Sequence, residues 1–389
     1  MPTSHHAPLP PPWRFDAPGG LRVVDVRDAE ELARHAGAWA ALLEASRAAS
    51  PMLSYPQISA FLETSVEARG AWLCLFAYDG DALRAVFPLI AARAVGAAGF
   101  SLRFLKTPYD VMHTSGVDCL TADGDEALVE VLLAYLAKMP RAWSVLRLRE
   151  LPEHSPTMTH RGKGGLGKRS VVRVSSSENY IEVPAELPDF HARISKNFRR
   201  QLQKSGRKLA TLEDVRFLMR EESRPLEENM RRFADAEDAG WKGRGNSSVK
   251  AEGRDFYQIA AERFRRHGWM EWNFLETAGR TIAAHYAVRI RRTVFLLKIG
   301  YDESFSACSP GNLLIERAIA HAAGRGDVDE INCVADCAWH RNWAMKKRWL
   351  HDLIILPEIP IISPLLCRVL MSKAARGFWK RDTPPTNEE

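Results

Sequence analysis

Long apolar runs are missing from this chain. A membrane-spanning helix needs about 18 to 20 apolar residues without charge. The nearest approach, 353–371, is interrupted by Glu358, Arg368 and three prolines. A leader pattern is missing too. Met1-Pro2-Thr3-Ser4-His5-His6 and the proline-rich run to Trp13 hold no basic segment followed by an apolar one. Cysteines are few and scattered. Cys74, Cys119, Cys308, Cys333, Cys337 and Cys367 follow no disulfide-framework spacing and are expected to be reduced. These absences together predict a soluble, cytoplasmic protein. Charge of one sign is also scarce. With 54 Lys and Arg against 48 Asp and Glu, the net charge is +6. That is too mild to argue for nucleic acid by itself, but it suits an anionic ligand or surface.

What is present is ordinary for a globular protein: 46% hydrophobic and 26% charged residues over a length of 389. That length gives a prior of two domains and buries a core without disulfides or metals. Residues 1–20 are Pro- and Gly-rich and are expected to be disordered. Leu32, Ala36, Trp39, Leu42 and Leu43 recur at helical spacing over 30–47, and Ser54-Tyr55-Pro56 opens a second helix. The apolar run 71–78 reads as a strand. Asp79-Gly80-Asp81 is a hairpin turn, and 83–91 returns as the partner strand. A helix over 125–138 and a strand over 144–149 complete an N-terminal unit, 21–152. The Gly-, Ser- and base-rich stretch that follows reads as a linker, 153–177.

A second unit, 178–389, begins with helices over 187–209, 225–238 and 252–267. Strands follow over 269–276, 281–290 and 293–299, then a helix from Ser309-Pro310-Gly311 to about Ala323. A strand at 330–334, a short helix or turn at 339–347, a strand at 352–356 and a helix at 365–378 close the pattern. The order implies a mixed sheet flanked by helices, an α/β or α+β fold.

The second unit resembles the GNAT-like acetyltransferases of the CelD, cellulose-biosynthesis-associated type, with the FemAB aminoacyl transferases as more distant kin. The stretches that carry the likeness are Ser195-Lys196-Asn197-Phe198-Arg199-Arg200, Trp241-Lys242-Gly243, Ile282-Ala283-Ala284-His285, Gly300-Tyr301-Asp302, Ser309-Pro310-Gly311 and Lys346-Lys347-Arg348-Trp349. They stand in the family's order. The N-terminal unit is similar to the family's first half around Asp79-Gly80, Phe87-Pro88-Leu89 and Leu151-Pro152. The resemblance implies two GNAT-like lobes, each a mixed, mostly antiparallel sheet flanked by helices. It also implies acetyl-CoA, or another acyl-CoA, as donor. It implies a small-molecule or glycan acceptor and a peripheral contact with membrane-bound polysaccharide machinery. No nucleic acid partner is expected.

Acyl transfer must deprotonate a nucleophile, stabilise an oxyanion and release a thiolate. Ser309-Pro310-Gly311-Asn312 is the candidate cradle for the donor's pyrophosphate, because a helix opening there offers free N–H groups and the positive end of its dipole. The same residues also describe an ordinary capped helix start. His285 alternates with Ala283 and Ala287 on one strand face and is a candidate base or a satisfied sheet histidine. Asp302 either orients the acceptor or starts a turn. Trp339, Arg341, Trp343 and Lys346 are candidate acceptor-binding residues, with His340 as a second candidate base; the bland alternative makes the tryptophans core anchors. Trp241 and Lys242 are a further acceptor candidate or a surface loop. Cys333, Cys337 and His340 lack a fourth ligand, so no metal is expected. The N-terminal unit shows no glycine-containing strand-to-helix turn and is expected to lack a donor site. The run from Arg193 to Lys208 holds seven cations and no acid, over an apolar stripe of Ile194, Phe198, Leu202 and Leu209. It reads as a solvated helix or an anion-facing surface. The functional alternatives are an acyltransferase acting on a sugar, glycan precursor or amine, a silent module assisting polysaccharide synthesis, or a FemAB-like aminoacyl transferase.

Overall fold

The computed structural model describes residues 17–95, 101–110, 114–122, 125–139, 143–163, 169–240 and 253–357, with a few isolated positions besides. The helix expected at 365–378 and the loop holding Trp241 and Lys242 lie outside the described residues. The strands used below are β1 (Arg22–Val26), β2 (Trp72–Asp79), β3 (Ala82–Val95), β4 (Ser101–Lys106), β5 (Val145–Pro152), β6 (Ser170–Glu182), β7 (Arg216–Met219), β8 (Met270–Thr277), β9 (Arg280–Ile290), β10 (Thr293–Tyr301), β11 (Glu330–Asn332) and β12 (Lys346–Ile355). The helices are α1 (Ala29–Arg34), α2 (Ala36–Ala45), α3 (Tyr55–Thr64), α4 (Glu126–Lys138), α5 (Pro156–Lys163), α6 (Leu187–Arg193), α7 (Lys196–Leu209), α8 (Leu226–Asp238), α9 (Arg254–Arg266) and α10 (Pro310–Arg325).

The chain divides into a first unit, Met1–Ser176 with Trp349–Glu389, and a second, Ser177–Arg348. Both boundaries fall inside strands: β6 starts in the first unit and ends in the second, and β12 does the reverse. The stretch expected to be a linker therefore contains α5 and the start of β6. Its richness in Gly, Ser, Thr and basic residues read as a linker. In the fold the hydroxyls of the β6 serines have partners. Ser175 Oγ donates to Leu350 O at 3.2 Å, Ser176 Oγ to Glu150 Oε1 at 3.0 Å and Ser177 Oγ to Asp336 Oδ2 at 2.8 Å.

In the first unit the strand order is β1-β2-β3-β4-β5-β12. All neighbours are antiparallel except β4 and β5, which are parallel and joined through α4. The inward-facing residues of this sheet, such as Leu73, Leu75, Phe87, Leu89 and Leu146, pack on the apolar side of α4, with Leu132 and Leu136 fully buried. Burial of aliphatic side chains of this size stabilises by about 1.5–3 kcal/mol each. In the second unit the order is β7-β8-β9-β10-β11-β6, again antiparallel except for one parallel pair, β10 and β11, joined through α10. A core of Ile181, Phe198, Leu202, Leu296, Leu314 and Trp343 holds α7 and α10 to this sheet. Phe233 of α8 and Tyr257 of α9 pack against Tyr286, whose hydroxyl donates to Tyr257 O. The fold is thus a mixed α/β arrangement, with helices flanking mostly antiparallel sheet, as the sequence implied.

The helix expected over 187–209 is two helices. Ile194 and Ser195 are extended, and Ser195 caps α7 by accepting from the Phe198 N–H at 3.2 Å. A serine oxygen at that position satisfies one of the N–H groups a helix start leaves open, which separates the two helices at this point.

Candidate active site

The second unit's parallel pair builds a cleft. β10 and β11 are hydrogen-bonded only as far as Phe295 and Asn332. β10 then continues from Leu296 to Tyr301 alongside β9, beyond the end of its pairing with β11. A bulge sits where the two strands part. Tyr286 of β9 faces Lys298 while Ala287 faces Leu296, so Leu297 is the extra residue. A bulge bends its strand and increases local twist, which turns the end of β10 away from β11.

A cavity of about 420 Å³ opens along this end of β10. Ile299, Gly300 and Tyr301 line it from the strand, and His285 from β9. Ser309, Gly311, Asn312 and Ile315 line it from the start of α10. Ser309 has a left-handed backbone, with φ 48°, and its side chain does not cap the helix. No acidic residue occupies the first turn of α10. A helix start with no side-chain cap and no acid presents open N–H groups and a positive dipole end, suited to an anion. A left-handed serine is strained by about 1–2 kcal/mol, and such strain concentrates at functional sites. A Cβ at Gly311 would meet only the Tyr301 ring, at 3.5 Å, so the resting structure does not itself demand glycine there.

The close approach is elsewhere. A Cβ at Gly300 would lie 2.8–2.9 Å from Glu237 atoms, and one at Gly240 would lie 2.7 Å from Tyr301 O. These two glycines let the end of α8 lie directly on β10. The Glu303 N–H fixes it further by donating to Ala239 O. Glu237 is thereby carried into the wall of the cavity, with 1% of its surface exposed. It is the charged side chain among the described lining residues. Sequence reasoning gave it no role beyond its place in the helix over 225–238. The signal that marks it is its spacing from Gly240 together with Gly300, and that becomes visible only once β10 and α8 are in contact.

His285 is also buried, at 2% exposure, and its Nδ1 has no hydrogen-bond partner among the described residues. Burial pulls its pKa down to about 3, so it stands in the cavity wall as a neutral imidazole. Trp339 lines the cavity beside Cys337. His340 lies behind them. Its Nδ1 accepts from the Cys337 N–H at 3.1 Å and lies 3.0 Å from Asn179 Nδ2, holding the turn in place. Burial lowers its pKa to about 4. Trp343 is fully buried, packing on Phe190 and Phe198. Lys346 pairs with Glu182 at 2.5 Å, and Arg341 is exposed. Asp302 caps the short helical segment Glu303–Cys308 by accepting from Ser304 N at 2.9 Å, and pairs with Arg280. The fold thus gathers His285, Ser309, Gly311, Asn312 and Trp339 at one cavity. It leaves His340, Asp302, Arg341, Trp343 and Lys346 out of the cavity lining. Pro310 is buried in the first turn of α10, and Trp241 and Lys242 directly follow the lining residue Gly240. Among the described residues no cluster of His, Cys, Asp and Glu is arranged to hold a metal.

Residues 196–337 match the family model of the acetyltransferase (GNAT) domain. No curated protein matches the chain. Among solved structures, FemX is similar in fold, with a TM-score of 0.58 and 7% identity over 89% of this chain and 99% of that one. A conserved protein of unknown function from Bacteroides thetaiotaomicron is similar with a TM-score of 0.52 and 14% identity, over 84% and 97% of the two chains. The matched segment runs from the start of α7 to Cys337 and takes in every lining residue named above except Trp339. The second unit therefore carries an acyltransferase domain of the GNAT class, a class that in general uses acetyl-CoA. No helix among the described residues is long and apolar enough to cross a membrane.

Proposed function

We propose that the second unit transfers an acyl group, acetyl in the first instance, from acyl-CoA to an amine or hydroxyl of a sugar or glycan precursor. The observation that carries the donor reading is the parting of β10 from β11 beside the open start of α10. An anionic pyrophosphate suits the Gly311 and Asn312 end of that helix. Past its parallel pairing with β11, the end of β10 that lines the cavity brings main-chain groups alongside the donor's amide-bearing arm, and an N–H there suits a developing oxyanion. On the acceptor side, Glu237 and the neutral His285 are the wall's groups able to take a proton, with Trp339 and Tyr301 as flat apolar faces. Attack of the acceptor on the thioester carbonyl forms the new C–N or C–O bond and breaks C–S. The acceptor's proton passes to the wall and the thiolate leaves.

The resemblance to CelD-type sequences supports a place in exopolysaccharide or cellulose synthesis and an acceptor of sugar chemistry. The open helix start and the buried, unpartnered His285 Nδ1 favour an active enzyme over a silent module, because a module has no use for such polar groups in a cavity wall. Calorimetric titration with acetyl-CoA, followed by CoA release in the presence of aminosugars, tests this reading. Saturable acetyl-CoA binding with acceptor-dependent CoA release is expected. A folded protein that binds no acyl-CoA would remove it.

A further inference from the structure

α7 differs from the other exposed helices in how it treats its charges. On α1, Arg34 pairs with Glu30 at 2.8 Å. On α8, Arg231 pairs with Asp235 and Arg232 with Glu228, each at 3.0 Å. On α9, Arg265 and Arg266 share Glu262. Each of these cations is neutralised by an acid one turn away on its own helix, the usual i,i+4 arrangement. α7 has no acid at all. Lys208 and Arg199 bond to main-chain carbonyls, of Ala307 at 3.0 Å and His191 at 3.1 Å. Lys196, Arg200, Lys204 and Arg207 are exposed, and their side chains bond to none of the described residues.

These four lie at steps of four, four and three. At 3.6 residues per turn they share an arc of about 80°, and at 1.5 Å per residue the row is about 16 Å long. The opposite side of the helix, Phe198, Leu202, Ser205 and Leu209, is buried in the unit's own core. The row is therefore straight, cationic and uncompensated, and its helix has no apolar face left to insert anywhere.

We infer that this face of α7 docks on the anionic headgroups of a lipid bilayer. A row of about 16 Å exceeds any single phosphate. The intervening exposed side chains Asn197, Gln201 and Gln203 are neutral amides, and the helix exposes no aromatic ring. Single-stranded nucleic acid is held by stacking on aromatic side chains as well as by charge, and that element is missing from this face. A flat anionic surface asks only for a row of cations held to one side, each worth about fivefold in partition near the surface. The contact is electrostatic and reversible by salt. It also sets an edge of the donor cleft near the surface, since Lys208 is tied to Ala307, two residues before Ser309.

The test uses the full chain and vesicles of phosphatidylcholine, with and without about a third phosphatidylglycerol, at about 0.1 M salt. Co-sedimentation with the anionic vesicles only is expected, with release at about 0.5 M salt. The variant Lys196→Gln/Arg200→Gln/Lys204→Gln/Arg207→Gln should lose on the order of several hundredfold in partition, while its melting temperature and acetyl-CoA affinity stay unchanged. Restoring charge with Lys196→Arg/Lys204→Arg should keep full binding. The inference fails if the wild type ignores anionic vesicles or if the quadruple variant binds as well. It fails equally if a single-stranded RNA oligomer, added at matched charge concentration, strips the wild type from the vesicles, because the row would then be a nucleic-acid contact.

Discussion

The two units contain the same strand order, yet only the second opens its parallel pair. In the first unit β4 is paired with β5 through Lys106, the last residue of β4, and the Thr107 N–H continues by donating to Arg147 O. Its pairing with β3 is regular throughout. In the second unit β10 carries a bulge and outruns its pairing with β11. The crossover helices differ in the same sense. α4 is capped by Asp125, whose carboxylate accepts from the Ala127 N–H at 3.0 Å, and Glu126 follows in the first turn. α10 starts at a left-handed serine with no side-chain cap and no acid. An acid at a helix start uses up the N–H groups and dipole that an anionic ligand would need. One topology therefore gives a closed structural sheet or a ligand cleft, depending on a bulge and a few residues at one helix start.

The largest effect is expected from giving the second unit the chemistry of the first. Gly311→Asp places a carboxylate where the donor's pyrophosphate is expected and should weaken acetyl-CoA binding by about a hundredfold or more, with stability changed by less than about 1 kcal/mol. The matched control, Asp125→Asn, should leave affinity untouched. If calorimetry finds the reverse, the donor site belongs to the first unit. Next comes Glu237→Gln, which keeps shape and removes the proton acceptor. Turnover should fall by about 10²–10³ while acetyl-CoA affinity holds. Unchanged turnover would leave proton removal to water or to His285.

A smaller effect is expected on stability. Gly300→Ala drives a methyl into the backbone of α8 and should cost about 1–3 kcal/mol in denaturant unfolding. Gly311→Ala, with ordinary contact at 3.5 Å, should cost less than about 1 kcal/mol. Equal costs would mean that α8 is not seated as described. The smallest concerns pH. His285 is depressed from 6.5 to about 3 in the folded chain, so the unfolded chain binds the extra proton between those values. Its neutral form contributes stability fully above pH 6.5, and that contribution is lost as pH falls toward 3. His285→Asn should therefore flatten the acid-side loss of melting temperature between pH 6.5 and 4. A residual slope remains from His340, depressed to about 4. An unaltered acid limb would show that His285 is solvated.

Much of the second unit was legible in order and type, because its strands β8, β9 and β10 are long, apolar and bounded by clear turns. Ser309-Pro310-Gly311 was legible as a helix start for the same local reason. β1, β4, β6 and β7 were missed. They are short, edge-lying or serine-rich, and what makes them strands is a partner far away in sequence. Trp343 illustrates the limit at the site. Beside Trp339, His340 and Arg341 it reads as part of an aromatic binding surface, but the turn 338–342 points it into the core while leaving Trp339 at the cavity. Glu237 was invisible for the converse reason: its burial depends on two glycines, one of them on another element.

The chain's passage through the second unit sets an order of assembly. β5 needs β12 as its antiparallel neighbour, and the bond from the Glu150 N–H to Asp352 Oδ1 spans 202 residues. At ribosomal speeds of about 5–20 residues per second, that interval lasts roughly 10–40 s. The second unit has its last residue, Arg348, before the first unit receives the strand that closes it. For that time a nascent first unit presents β5, with Leu146, Leu148 and Leu151, as an open sheet edge, the kind of surface that invites pairing with other chains. The half of the molecule made first is thus the half finished last, and its yield in a cell depends on what shelters that edge while the second unit is being synthesised.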